Sequence, residues 1–247
     1  IHVQSASLGD RLLYRVLGYE DPMNKEWTGS ADAGWTNGVN WLASGKPGPA
    51  DTVLFDVHST QHLSIVLADA AELLRLVQRN PPGPVSLSSG GSELAVGFGI
   101  DMAQARQDLA IQAPLRFAGD QTWVVTNGRT LSVQGPSSND GNELTIAGAG
   151  AVVIGNALSG AAGMTVAGGG KVSLLAAQTY QGPTVVSNGT LVVETSLGTG
   201  VVRVVSGAHL ELPGGAAIAG DLRAGGTVRL PRGEEGAVHV GGSLTQA

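Results

Sequence analysis

The sequence predicts an all-β fold, a parallel β-helix whose coils take about 19 residues each, with a cap at the N-terminal end. Three observations carry that reading. From residue 143 onward, short runs with alternating apolar residues follow one another: "ELTI", "AVVI", "GMTV", "KVSL", "PTVV", "TLVV", "VVRVV", "HLEL", "TVRL". Such β-branched and leucine-rich alternation is the strand signature. Equivalent positions also recur. Every second run gives Leu144, Met164, Val185, Val202, Leu222 and Val238, and the runs between give Val152, Val172, Leu191, Leu210, Val228 and Leu244. Finally, glycine-rich pieces such as "GGGK", "SNGT" and "AGGT" separate the runs, and glycine supplies the positive φ angles of tight corners.

A β-sandwich has equally short strands and turns, but it pairs strands distant in sequence and needs no recurring register. In a solenoid each coil stacks on the one before, so similar residues return at similar places. The recurrence selects the solenoid. Its expected core is a column of inward residues including Leu144, Met164, Val172, Leu191, Val202, Leu210 and Val228.

The chain divides into three parts. Residues 1–26 form an N-terminal extension in which "RLLYRVLGYEDPMNKE" is charged, aromatic and outside the repeat; residues 11–17 fit either a strand or a short helix. Residues 27–50 form a Trp-rich cap, and residues 51–247 the β-helix. Within 51–135 the repeat is less regular. "ADAAELLRLVQRN" places Leu73, Leu74 and Val77 on one helical face, yet it falls at the strand interval, so a strand is expected at 73–77. A turn or short helical excursion is expected at 101–107. The last residues, "GGSLTQA", stop inside a repeat, so the stack is expected to continue past residue 247. The other expectation is self-association, with residues 11–19 contributing to the contact.

Composition bounds the partners. The net charge is −6 and only 14% of residues are charged, against about 25% in ordinary soluble domains. No basic footprint for nucleic acid is present. No apolar run reaches the roughly 18 residues of a membrane-spanning helix. The chain has no cysteine, which excludes disulfides and thiolate metal sites.

"QTYQGPTVVSNGTLVV" resembles the autotransporter-associated β-strand repeat, with Thr179, Tyr180, Gly182, Thr184, Val185, Gly189, Thr190 and Leu191 in the matching positions. The preceding "GGGKVSLLAA" is similar to that repeat's lead-in, from which Lys171, Leu175 and Ala177 depart. The "W…W…NW" stretch followed by Pro47, Pro49, Asp51 and Phe55 is similar to the start of large secreted proteins that bear these repeats. The resemblance implies a single-stranded right-handed parallel β-helix, exported and exposed at the cell surface, in adhesive or structural passengers. It implies no catalytic residue in the repeat itself.

Candidate sites are sparse. Trp27, Trp35 and Trp41 read either as a cover over the open first coil or as a glycan-stacking platform, the former favoured because a β-helix end must hide its unpaired backbone and core. "DVHSTQH", with Asp51 and Asp56 nearby, is the densest titratable group, but His58 and His62 lie four apart in non-helical sequence, which is no metal spacing. Asp32 and Asn37 lack the ordered oxygen spacing of a calcium loop. The acids Asp51, Asp56, Asp101, Asp108, Asp120 and Asp140 recur mostly one at a time, unlike the clustered acids of enzymatic β-helices, and the group Asp51, Asp56, His58 and His62 reads as isolated surface residues. Asn127, Asn156 and Asn188 are placed to form ladders along the stack. No catalytic, metal or cofactor residue is assigned. The expected function is a non-enzymatic extracellular structural or adhesive scaffold that self-associates or meets a host or cell-surface glycan or protein; the alternative is a carbohydrate-binding or polysaccharide-processing β-helix.

Overall fold

The computed structural model describes residues 24–42, 45–213, 216–230 and 240–246 in full, and residues 2–8, 11–17 and 239 as backbone. The described chain is almost entirely β-structure, with one 3-10 turn at Gly38–Asn40. It forms a parallel β-solenoid of about 9 turns.

Each coil contributes to three stacks of strands. The first runs from Thr52–Phe55 through Gln121–Val125 and Thr184–Val186 to Leu244–Gln246. The second runs from Ser64–Leu67 through Thr130–Val133 and Thr190–Val193 to Thr227–Arg229. A third, of very short strands, includes Ser137–Ser138, Leu158–Ser159, Ser196–Leu197 and Ala217–Ile218. The sequence shows two prominent strands per coil because these third-face strands are too brief to display an alternation.

Register is parallel throughout the solenoid. In the C-terminal half the expected spacing is close: Leu191 lies beside Leu210, 19 residues on, and Met164 beside Thr184, 20 on. In the N-terminal half it is longer, with Thr52 beside Arg75 and Gly99 beside Thr122, 23 residues on in both cases. The mean is near 22 rather than 19. The added residues sit in wider corners, among them the turn at 103–108, where Asp101 Oδ1 accepts the Ala103 N–H (2.9 Å). That stretch is a turn with no helix. The strand expected at 73–77 lies within Ala71–Gln78, with a bulge between Leu73 and Arg75.

The inward column contains Leu144, Met164, Val172, Leu191, Val202 and Leu210, all buried, while Val228 is only partly so. Two positions of the expected series shift. Thr184 and Val186, and not Val185, point inward, because Met164 pairs with Thr184. Leu222 pairs with Leu244, which therefore belongs to the first stack and not the second; Val238 lies outside the described residues. An apolar run with valines at consecutive positions offers two alternation phases, and only the neighbouring coil chooses between them.

At the N-terminal end Asn24–Glu26 already pairs with Thr52–Leu54. The solenoid thus begins before Trp27, inside the stretch read as extension. Gly34 bridges Val66 in the second stack, so residues 24–42 make a partial coil. His2–Leu8 and Arg11–Leu17 form an antiparallel hairpin of their own, so 11–17 is a strand; residues 18 and 19 lie outside the described residues.

The register predicts unequal costs. Leu191→Ala should lose about 2–5 kcal/mol, as large-to-small core changes do, whereas Val185→Thr should stay within about 0.5 kcal/mol. Denaturant unfolding of the two variants checks this, and a larger loss for Val185→Thr would reverse the assigned phase.

Candidate functional site

The three tryptophans come together in one cluster. Trp27 and Trp41 meet edge to face with ring centroids 5.0 Å apart, as do Trp35 and Trp41 at 4.8 Å. Trp27 is 0%, Trp35 1% and Trp41 3% exposed, so none offers an open face on which a sugar ring could stack. Trp41 Nε1 donates to Trp35 O (2.8 Å) and Trp27 Nε1 to Gln61 O (3.1 Å). The cluster continues the core column of the first coils.

The loop between the tryptophans is shaped by Asn40, which is fully buried. Its Oδ1 accepts the Ala31 N–H (2.9 Å), and its Nδ2 donates to Asp32 Oδ1 (2.7 Å) and Gly34 O (2.9 Å). Asp32 also accepts from Asn37 Nδ2 (2.9 Å) and from the Gly34 N–H (2.8 Å). These bonds, that from Asn37 first, hold the Asp32 carboxyl below its ordinary range. The two residues weighed as calcium ligands are therefore engaged with their own loop. Among the described residues no group of three or more His, Asp or Glu side chains is gathered for a metal.

The "DVHSTQH" group braces the same cluster. His58 Nδ1 lies 3.0 Å from Glu26 Oε2, and the His58 backbone N–H donates to Glu26 Oε1 (3.1 Å). His62 Nδ1 lies 2.6 Å from Gly29 O, and Ser59 Oγ donates to Trp27 O (2.7 Å). His58 and His62 hold separate partners rather than one shared ligand.

The repeat signature occupies one coil, and most of its residues meet the adjoining coil or the interior. Tyr180 is buried, and its phenol shares a 2.6 Å hydrogen bond with the buried hydroxyl of Thr184. Burial pushes the Tyr180 pKa up to about 12, against the smaller opposing effect of that bond. Gly182 has no room for a side chain, since a Cβ there would come within 2.3 Å of the Ala162–Gly163 backbone. Gly189 has φ +70° and a Cβ there would come within 2.3 Å of Gly168 O. Leu191 fills the core. Val185 and Thr190 are half-buried, and Thr179 is exposed.

Buried amides form a set of supports that composition did not single out. Gln178 accepts the Leu158 N–H of the coil before (2.9 Å) and donates to Ala176 O (2.6 Å). Gln121 donates to Val96 O (2.7 Å) and Gly119 O (2.9 Å), and Asn139 donates to Ala162 O (2.8 Å). The signal in the sequence is an amide residue in or just beside a corner, as in "DQTW" and "AAQTY". Asn156 and Asn188, by contrast, fold back on the N–H of the next residue rather than bridging coils.

The single acids are not isolated. Asp56 approaches Arg79, Asp101 approaches Arg75, Asp108 approaches Arg129 and Asp140 approaches Arg116, every pair joining residues 21 or more positions apart and hence different coils. Asp120 Oδ1 accepts the Glu143 N–H (2.9 Å) and Asp51 Oδ2 the Gly48 N–H (2.8 Å).

Together these features define a parallel β-solenoid whose most distinctive residues face inward or onto the adjoining coil. Comparison with protein-family models, with curated proteins and with solved structures gave no match.

Two outcomes follow for the signature and the cap. Tyr180→Phe should cost about 1–3 kcal/mol, because it leaves the Thr184 hydroxyl buried without its partner, and adding Thr184→Val should recover much of that loss. A double-mutant cycle in denaturant measures it. The Tyr180 pKa is raised on folding, so its contribution is complete below about pH 10 and is lost as pH rises from there through about 12. Stability of the wild type should therefore fall more steeply over that window than stability of Tyr180→Phe. In the cap, Trp35→Ala should cost about 3–5 kcal/mol, read by thermal unfolding.

Proposed function

We propose that this protein is a non-enzymatic scaffold, an exported β-solenoid of the autotransporter-associated repeat type that serves as a structural or adhesive element at the cell surface. The observation that carries the reading is the use made of the signature residues. Tyr180, Gly182, Thr184, Gly189 and Leu191 are spent on stacking one coil upon the next. A sequence selected to repeat that coil is selected for length and rigidity. The axial pairing of Asp56, Asp101, Asp108 and Asp140 with arginines supports the same reading, because carboxylates so placed brace neighbouring coils.

The groove of about 350 Å³ lined by Leu222, Val228, Leu230, Val240 and Leu244 presents apolar surface at the last described coils, with Leu244 68% exposed. In this reading a second copy stacked on it would cover it.

Incubation with pectic, chitinous and peptidoglycan polysaccharides, followed by assay of new reducing ends, should yield none. Release that disappears in Asp56→Asn or Asp108→Asn would overturn the scaffold reading in favour of a polysaccharide-processing solenoid.

A further inference from the structure

Arg203 and Arg223 stand directly opposite each other on adjacent parallel strands, Val202–Val204 and Leu222–Ala224. Both point outward and are exposed. Adjacent strands lie about 4.8 Å apart, and like charges placed opposite one another on a sheet are unfavourable. Of the other described arginines, Arg75, Arg79, Arg116, Arg129 and Arg229 each lie within 4.0 Å of a carboxylate, and Arg106 does not. Among the described residues neither Arg203 nor Arg223 does. The acid nearest in sequence, Asp221, accepts the Ser243 N–H (2.8 Å); that bond, more than the charge of Arg223, holds its carboxyl below the ordinary range. On an acidic chain, two stacked guanidinium groups with no carboxylate within 4.0 Å are a departure that packing does not explain.

The row in which they sit is also unusual. Following the register along the first stack, the outward positions read Thr122, Thr145, Thr165, Val185, Arg203, Arg223 and Thr245. It contains four threonine hydroxyls, one valine and the two arginines, and no acid.

We propose that Arg203 and Arg223 bind an anionic group, a sulfate ester or a uronate carboxylate, on an acidic polysaccharide that lies along this row. Guanidinium forks match planar or tetrahedral oxyanions two oxygens at a time. Two forks one strand spacing apart bracket a single such group, and relieve their mutual repulsion by doing so. The threonine hydroxyls continue the row at the same spacing and offer partners to the sugar hydroxyls of a chain extended along the axis. A polymer is favoured over a lone ion because an exposed ion contact contributes little by itself. Duplex DNA and anionic membrane are disfavoured because each is held by a broad basic footprint, and this row offers two arginines among neutral side chains. This site rests on the surface-scaffold reading and gives the scaffold a ligand.

The test is isothermal titration of the full chain at low ionic strength with a sulfated heparin oligosaccharide, with oligogalacturonate and with neutral dextran. One or both acidic saccharides should bind, dextran should not, and added salt should weaken the binding. Arg203→Gln and Arg223→Gln should each weaken it at least tenfold while thermal unfolding stays level or rises, since a repulsion is removed. Arg229→Gln, whose side chain lies on the second stack against Glu211, should bind as the wild type does. The proposal is overturned if neither acidic saccharide binds, if the Arg203/Arg223 double variant binds unchanged, or if duplex DNA or anionic vesicles bind more tightly. Those failures leave the scaffold reading standing; only release of reducing ends from a polysaccharide removes that reading.

Discussion

Everything in this structure depends on the parallel backbone ladder between one coil and the next. A coil has no hydrogen-bond partners of its own, so its N–H and C=O groups are satisfied by the coils before and after it. The ladder also fixes side chains. Leu144 above Met164, and Val152 above Val172 above Leu191 above Leu210, form columns because their backbones are in register. Corners obey the same constraint. Two coils approach so closely at Gly182 and Gly189 that a single added carbon would collide with the backbone beneath. Where the corner must instead be filled, a buried amide such as Gln121 or Gln178 takes up the carbonyls and N–H groups that the turn leaves unpaired.

Stacking of this kind makes each coil answer to its neighbours and to little else, as in other solenoids. The two halves meet that demand differently. Between residues 50 and 140, coils are longer, corners wider, and arginine–carboxylate pairs reach from coil to coil. Each exposed pair contributes at most about 1 kcal/mol, but its geometry favours the observed register over a slipped one, which would turn the core outward. Beyond residue 140 the coils shorten, and glycine corners with small outward residues replace the charges. The run of 141–200 carries only Glu143, Lys171 and Glu194 as charges, and its coils approach closely at glycine corners. Past residue 200 charges return: Arg229 pairs with Glu211, whereas Arg203 faces Arg223.

The end at residues 24–42 shows how the first coil is closed. Trp27 and Trp41 form an antiparallel bridge with each other, unlike the parallel pairs of the stack, and Leu42 donates its N–H to Glu26 O (2.8 Å). Three indoles fill the core column at this end of the described solenoid. Glu26, His58, Ser59 and His62 hold that lid by hydrogen bonds to its backbone and to each other. Polar residues that looked like a candidate site in the sequence are thereby explained as supports of an apolar cover.

The sequence by itself determined the solenoid, the inward columns and the strand at 73–77, because alternation and recurrence are local properties that any neighbour must respect. Glycine at 182 and 189 was legible for the same reason. The phase of "PTVVS" was not: Val185 and Val186 satisfy both alternations, and pairing of Met164 with Thr184 decided between them. Nor was coil length in the N-terminal half, since a wide corner has no periodic signal. The roles of Gln121, Asn139 and Gln178, the axial partners of the acids and the opposition of Arg203 to Arg223 were decided only by tertiary structure. Each is a relation between residues about 20 positions apart, and the register that brings them together is set by the stack as a whole.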